Sequence, residues 1–178
     1  LDFKGIIDKK KQAIHIRSKV KKWTGIPVSV GLAPTKTLAK IANHVAKKHT
    51  QNGVFILDNS QLILKVLKRI PVGDVWGIGR RYASFLSGKS IYTAYDLVQK
   101  NEYWVKRNLS INGLRMVKEL KGIPCHALES SNSRKKNICT SRSFGRKVKD
   151  LNELKEAVAS YATSCAMKLR NEKSLSFQ

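Results

Sequence analysis

The apolar positions of the chain change their period several times, and each change marks a new element. Between Ile6 and Trp23, Ala13, Ile16, Val20 and Trp23 recur at three- and four-residue spacing among Lys9, Lys10, Lys11, Arg17, Lys19, Lys21 and Lys22, which predicts a basic amphipathic helix. Gly25-Ile26-Pro27 breaks it, and Val28 to Leu32 alternates as a strand. Pro34 opens the next helix near its first turn, and Asn52-Gly53 turns into a second strand from Val54 to Leu57. Helix, strand, helix, strand is a piece of an α/β layer.

From Ser60 to Gly122 the strand signals vanish. Gln61 to Ile70 reads as a helix, and the stretch from Pro71 to Leu86 places a tight turn, Gly77-Ile78-Gly79, between two helices. Thr93 with Asp96 makes a capping-box pattern ahead of Ala94 to Gln99, and a last helix from Gly113 to Leu120 stops at Gly122-Ile123-Pro124. This predicts a small all-α domain. Ser130 to Asn137 is polar, basic and devoid of core residues, an interdomain linker. Ile138 to Val148 reads as a strand and its turn. Asp150 then starts a helix along which Leu151, Leu154, Val158, Tyr161, Cys165 and Leu169 recur, with Glu153 in the capping-box position. One strand and one helix close no core, so the pattern predicts a chain that ends inside a third domain.

Charge narrows the function. The 178 residues hold 35 Lys plus Arg against 12 Asp plus Glu, a formal charge of +23, far beyond what solubility requires. The expected partner is a polyanion. No stretch is long or apolar enough to span a bilayer, and the charge is spread over several elements rather than confined to one amphipathic helix, which weighs against a membrane-surface protein. Cys125, Cys139 and Cys165 are odd in number and widely spaced, which predicts a reducing compartment, the cytoplasm. Cys125-His126 has no second ligand pair and reads as incidental. The chain opens on Leu1-Asp2 with neither an initiator Met nor a signal pattern, so it reads as an internal segment of a longer protein.

Two places offer binding chemistry. On a helix at about 100° per residue, Lys36, Lys40, Asn43 and Lys47 fall in one sector and Leu38, Ile41, Ala42 and Val45 opposite, a stripe of ammonium groups suited to a polyphosphate. The bland alternative is a solvated face. Gly77-Ile78-Gly79, flanked by Leu67, Ile70, Ala83 and Leu86, matches the helix-hairpin-helix pattern, in which small glycines let a phosphate approach backbone N–H groups at a helix start; Arg80 and Arg81 add charge. An ordinary αα-hairpin is the alternative there. Arg134, Lys135, Lys136, Arg142, Arg146 and Lys147 form a basic linker and strand that could track a duplex backbone. No grouping of Asp and Glu suits two-metal phosphoryl transfer, so the chain alone is expected to bind and not catalyse.

Taken in order, Val30-Gly-Leu-Ala-Pro-Thr-Lys-Thr-Leu-Ala-Lys-Ile-Ala-Asn43, Val75-Trp-Gly-Ile-Gly-Arg-Arg81, Leu120-Lys-Gly-Ile-Pro-Cys125 and Ser141-Arg-Ser-Phe-Gly145 resemble the Y-family translesion DNA polymerases, above all their UmuC-like branch, the catalytic subunits of bacterial DNA polymerase V. The resemblance implies an α+β multidomain fragment: residues 1–58 the C-terminal part of an α/β palm, 59–130 an all-α helix-hairpin-helix thumb, 131–137 a basic linker, and 138–178 the start of an α+β little finger. It implies error-prone synthesis past damaged bases in the SOS response, with Mg²⁺ held by carboxylates outside this segment. It assigns Lys47 to the incoming deoxynucleoside triphosphate and the hairpin Gly77, Ile78 and Gly79 to the loop that grips primer-template DNA; Arg80, Arg81, Arg142 and Arg146 join the expected DNA-binding residues by their charge and position. It also implies a UmuD′-type subunit, RecA and a sliding clamp as partners of the parent enzyme. Two rival readings remain: a non-catalytic helix-hairpin-helix module of a DNA repair protein, and an RNA-binding protein suggested by charge alone.

Overall fold

The computed structural model describes residues 2–3, 5–127 and 137–174. Helix α1, Lys9–Thr24, starts where Asp8 accepts a hydrogen bond from the Lys11 amide at 2.8 Å, and stops at Gly25, whose φ of 71° no side chain hinders. It buries Ala13 and leaves its lysines in water. Strand β1, Val30–Leu32, helix α2, Lys36–His49, and strand β2, Val54–Ile56, form a βαβ unit: β1 and β2 pair in parallel with Val30 opposite Val54 and Leu32 opposite Ile56. The unit is unusually tight at Gly31. A Cβ there would sit 2.1 Å from the amide nitrogen of Asn43 and 2.6 Å from the Ala39 carbonyl, so a side chain would push α2 off the strand. Helix α2 begins at Thr35 as N-cap rather than at Pro34, because the Thr35 hydroxyl accepts from the Leu38 amide and proline lies one residue outside.

Beyond β2 the chain is helical, through α3, Ser60–Leu67, a 3₁₀ turn at Val72–Asp74, α4, Arg80–Ser87, α5, Ala94–Val98, and α6, Glu102–Leu120. Helix α3 ends three residues earlier than its periodicity predicts; the residue before Pro71 is disfavoured in helix, and the chain tightens through Lys68 and Arg69 instead. The Thr93 and Asp96 capping box is complete. The Thr93 amide, foremost, holds the Asp96 carboxyl below the usual range. Leu38, Ile41 and Leu57 of the βαβ unit share one continuous core with Leu67, Val75, Leu86, Leu97, Val105, Val117 and Leu120.

Helix α6 differs most from expectation. Periodicity predicts only its second half, yet it starts at Glu102, capped by Asn101, and bends at Ser110, where φ is 65° and ψ −178°. Lys118 Nζ lies 3.1 Å from Glu102 Oε2 although a straight helix would hold these positions about 24 Å apart, so the two halves turn back toward each other. Gly113 makes this turn passable, since a Cβ would meet Leu109 Cβ at 2.3 Å.

Residues 1–128 form one compact unit and 129–178 a second. In the second, α7, Leu151–Asn171, is capped by Asp150, which accepts from the Glu153 amide. The strand expected over Ile138 to Val148 is absent, because no described residue supplies a ladder partner. The segment is tied to α7 by side chains: Lys168 Nζ donates to the Cys139 carbonyl at 3.2 Å and to Thr140 Oγ1 at 3.0 Å. Leu151, Leu154 and Val158 remain exposed on α7. The basic linker residues Arg134, Lys135 and Lys136 lie outside the described residues.

Candidate nucleic-acid interface

The turn at Gly77 to Gly79 is built to expose backbone donors. Ile78 is 8% exposed and anchors the loop in the core, with its amide donating to the Val75 carbonyl at 3.0 Å. Gly77 takes φ 96°, a conformation that side chains resist. Gly79 is the N-cap of α4 and, unlike the first residues before α1, α2, α3, α5, α6 and α7, offers no side chain to the free amides of the first turn. A Cβ at either glycine would meet nothing within 4 Å. The space beside both glycines is therefore open, no side chain caps the first amides of α4, and Arg80 and Arg81 stand exposed next to the turn. Uncapped amides, the positive end of a helix and two guanidinium groups together suit a phosphate diester.

The lysine stripe divides. Lys36 is drawn into the fold, its Nζ donating to the Ala127 carbonyl, while Lys40 and Lys47 stand exposed. Asn43 is half-buried with its Oδ1 unpartnered among the described residues, at the point where α2 presses on Gly31. Lys47 lies in the last turn of α2. One turn earlier His44 approaches the Asp74 carboxylate at 3.9 Å, so the lysine-bearing end of α2 runs beside the 3₁₀ turn that leads into the hairpin.

What positions α2 escaped the sequence reading. Glu119, fully buried near the end of α6, accepts at Oε2 from the Thr37 amide and hydroxyl at 2.8 and 2.7 Å, and at Oε1 from the amides of Cys125 and His126 at 3.2 and 3.0 Å. Burial pushes its carboxyl up, but these four donors outweigh it and hold the group below the ordinary glutamate value. The Thr35 hydroxyl adds a bond to the Glu119 carbonyl at 2.8 Å. An acid flanked by Val117 and Leu120 at core spacing was the available signal.

In the second unit Arg146 is engaged: its guanidinium holds both oxygens of Glu153 at 2.9 and 3.0 Å. Arg142 is exposed and lines a concavity with Phe144, Glu156 and Tyr161. Among the described residues no three His, Cys, Asp or Glu side chains come together as metal ligands, and no helix is long and apolar enough to cross a membrane. The three cysteines are free thiols.

The impB/mucB/samB family matches residues 1–44, and the C-terminal domain of the same family matches residues 135–177. Protein UmuC of Salmonella typhimurium is 45% identical over 160 residues, covering 89% of this chain and 38% of the relative. DNA polymerase IV 1 of Bacillus subtilis is 37% identical over 111 residues, 62% of this chain and 26% of the relative. The solved insertion ternary complex of Dbh DNA polymerase superposes with a TM-score of 0.53 at 25% identity, over 67% of this chain and 34% of that one. The chain thus spans about two fifths of the length of the first curated relatives it matches.

Proposed function

Since this chain is a UmuC-like segment of a Y-family polymerase, with the mixed α+β fold of that family, we propose that it is the DNA-gripping part of an error-prone translesion DNA polymerase. The observation that carries the proposal is the uncapped, unobstructed start of α4 at Gly79, ringed by Arg80 and Arg81, in a chain of formal charge +23. In this reading the Gly79, Arg80 and Arg81 amides donate to one phosphodiester of the primer-template duplex, with no base contact and hence little sequence preference. Ile78 keeps the turn rigid. Lys47, exposed at the end of α2, meets the incoming deoxynucleoside triphosphate as a point charge, and Arg142 of the second unit follows the duplex backbone, joined by Arg146 where a phosphate displaces Glu153 from its guanidinium.

The parent enzyme would use divalent metal ions, as Y-family chemistry requires, to activate the primer hydroxyl and neutralise pyrophosphate. The described residues offer no ligand set for them, so no catalytic step is assigned to this chain. The division into palm, thumb and little finger at residues 58 and 130, the cytoplasmic setting, and the UmuD′-type, RecA and clamp partners belong to the same proposal. Its test is the salt dependence of primer-template binding. With some 4 to 6 phosphates neutralised, log K falls with log salt at a slope of about −4 to −5. Affinity that stays flat from low to moderate salt overturns the proposal.

A further inference from the structure

Two of the three cysteines meet in the second unit. On α7 the Cys165 thiol faces the Ile138 carbonyl, Sγ to oxygen 3.8 Å, and Cys139 is the next residue along the chain. Lys168, one turn further along α7, donates from Nζ to the carbonyl of Cys139 itself at 3.2 Å. Residues three apart share a helix face, so the two contacts seat Cys139 over the stretch of α7 from Cys165 to Lys168. Cys139 also lines a concavity of about 810 Å³ with Ser164 and Lys168, which flank Cys165 along the helix.

The two thiols are unequally placed: Cys139 is exposed and Cys165 half-buried. A peroxide needs an exposed thiol to meet, and the sulfenic acid it leaves is resolved by a second thiol alongside. Ile138 and Thr140 are half-buried and touch α7 through the Cys165 and Lys168 contacts, so the Cys139 side chain between them turns outward. A disulfide needs α-carbons about 5.5–6 Å apart. A change confined to residues 138–140 supplies this, because among the described residues no strand ladder or backbone hydrogen bond fixes that stretch.

We propose that Cys139 and Cys165 form a peroxide-responsive pair, in which hydrogen peroxide oxidises Cys139 and Cys165 then closes a reversible disulfide that clips the 138–145 segment, with Arg142, to α7. In the first step the Cys139 sulfur attacks a peroxide oxygen, the O–O bond breaks, a sulfenic acid forms and one water leaves. In the second the Cys165 sulfur displaces the sulfenic hydroxyl, the S–S bond forms and another water leaves. The thiols together give up two electrons and two protons, and the peroxide takes both. Thiol reductants reverse the bond, which suits a transient, redox-sensing disulfide in a reducing compartment. The pair is independent of the DNA reading and stands or falls without it.

The experiment treats the folded chain with equimolar hydrogen peroxide, alkylates the remaining thiols and maps the peptides by mass, for the unaltered chain, Cys125→Ser, Cys139→Ser and Cys165→Ser. The unaltered chain and Cys125→Ser are expected to lose the Cys139 and Cys165 thiols together, to stay monomeric, and to yield one peptide joining 139 to 165 that dithiothreitol separates. Cys165→Ser should stop at a sulfenic acid on Cys139, trapped by dimedone, and Cys139→Ser should keep its two thiols. A Cys139 oxidised in the unaltered chain with no bond to Cys165 overturns the proposal, as does a bond that involves Cys125 or joins two chains. The map of the unaltered chain decides the matter even where a serine variant fails to fold.

Discussion

Replacing Glu119 by glutamine alters one buried atom and tests the junction that sets the position of α2. The carboxylate is satisfied by two donors on each oxygen: Thr37 N–H and O–H on one, the Cys125 and His126 amides on the other. Glutamine keeps its oxygen on the Cys125 and His126 amides and turns its NH₂ toward Thr37, where the hydroxyl reverses to accept from it and only the Thr37 amide loses its acceptor. A buried donor left unmade costs about 1–3 kcal/mol, and relief of the buried charge returns part of it, leaving a net loss of about 1–2 kcal/mol. Urea unfolding followed by circular dichroism reads this directly, and Thr37→Val in a double-mutant cycle isolates the shared part. The pH dependence has a fixed sign. The folded-state value lies below the ordinary glutamate value of 4.5, so the stabilisation is complete above pH 4.5 and is lost as pH falls through the lower folded value. The gap between wild type and Glu119→Gln therefore shrinks on acidification below pH 4.5. A gap under about 0.5 kcal/mol at neutral pH, or one that persists unchanged at pH 3, would refute the four-donor argument.

The remaining expectations concern the two turns and the stripe. Gly79→Val should leave the circular dichroism and melting temperature unchanged, because φ at Gly79 is −84° and a Cβ meets nothing, yet reduce primer-template affinity at least about tenfold by blocking backbone approach; unchanged affinity removes the phosphate from this turn. Gly77→Ala, at φ 96°, should instead destabilise the fold by about 1–2 kcal/mol, read as a shift in the urea midpoint. Ser110→Gly should raise stability by about 1 kcal/mol, strain relieved less the chain entropy glycine adds, and a lowered midpoint would contradict the strain. In an intact polymerase, Lys47→Ala should lose about 1–3 kcal/mol of kcat/KM in single-nucleotide incorporation while Lys9→Ala does not, and equal values return Lys47 to the solvated face.

What could be read in advance follows from which forces are local. The apolar period of α2, the Thr93 to Asp96 cap and the Gly77 to Gly79 turn depend on residues within one or two turns of each other, and they stand in the structure where the pattern places them. The first half of α6 did not show, because Tyr103, Trp104 and Val105 are consecutive and give no clear 3.6 period; what holds Trp104 is Phe85 of α4, stacked on it at 6.4 Å between centroids. Ser110 was equally silent, since serine carries no sign of a positive φ, and the bend brings together groups far apart in sequence, Glu102 with Lys118, across a close Gly113 to Leu109 approach. The strand expected from Ile138 to Val148 needs a partner ladder that its own alternation cannot supply. The lysine stripe was legible as a stripe but not in its division, because the carbonyl that takes Lys36 belongs to Ala127, 91 positions away.

These long-range contacts converge on α2. Its first turn is locked to the end of α6 by Thr35, Thr37 and Glu119, and His44 in its third turn lies 3.9 Å from the Asp74 carboxylate, so a helix about 20 Å long is fixed at its start and runs beside the 3₁₀ turn before Lys47 appears in its last turn. A solvated lysine needs no such support. A lysine that must meet a phosphate at a set distance from a second phosphate site does, because an error of about 1 Å in placement is enough to forfeit the contact. The turn at Asp74 is also the lead into the Gly77 hairpin, so the base of that hairpin lies beside the helix bearing Lys47. Loosening Glu119 should therefore weaken the proposed sites as well as the fold, and in the proposed polymerase its signature would be a nucleotide KM raised without any change in the charge presented to DNA.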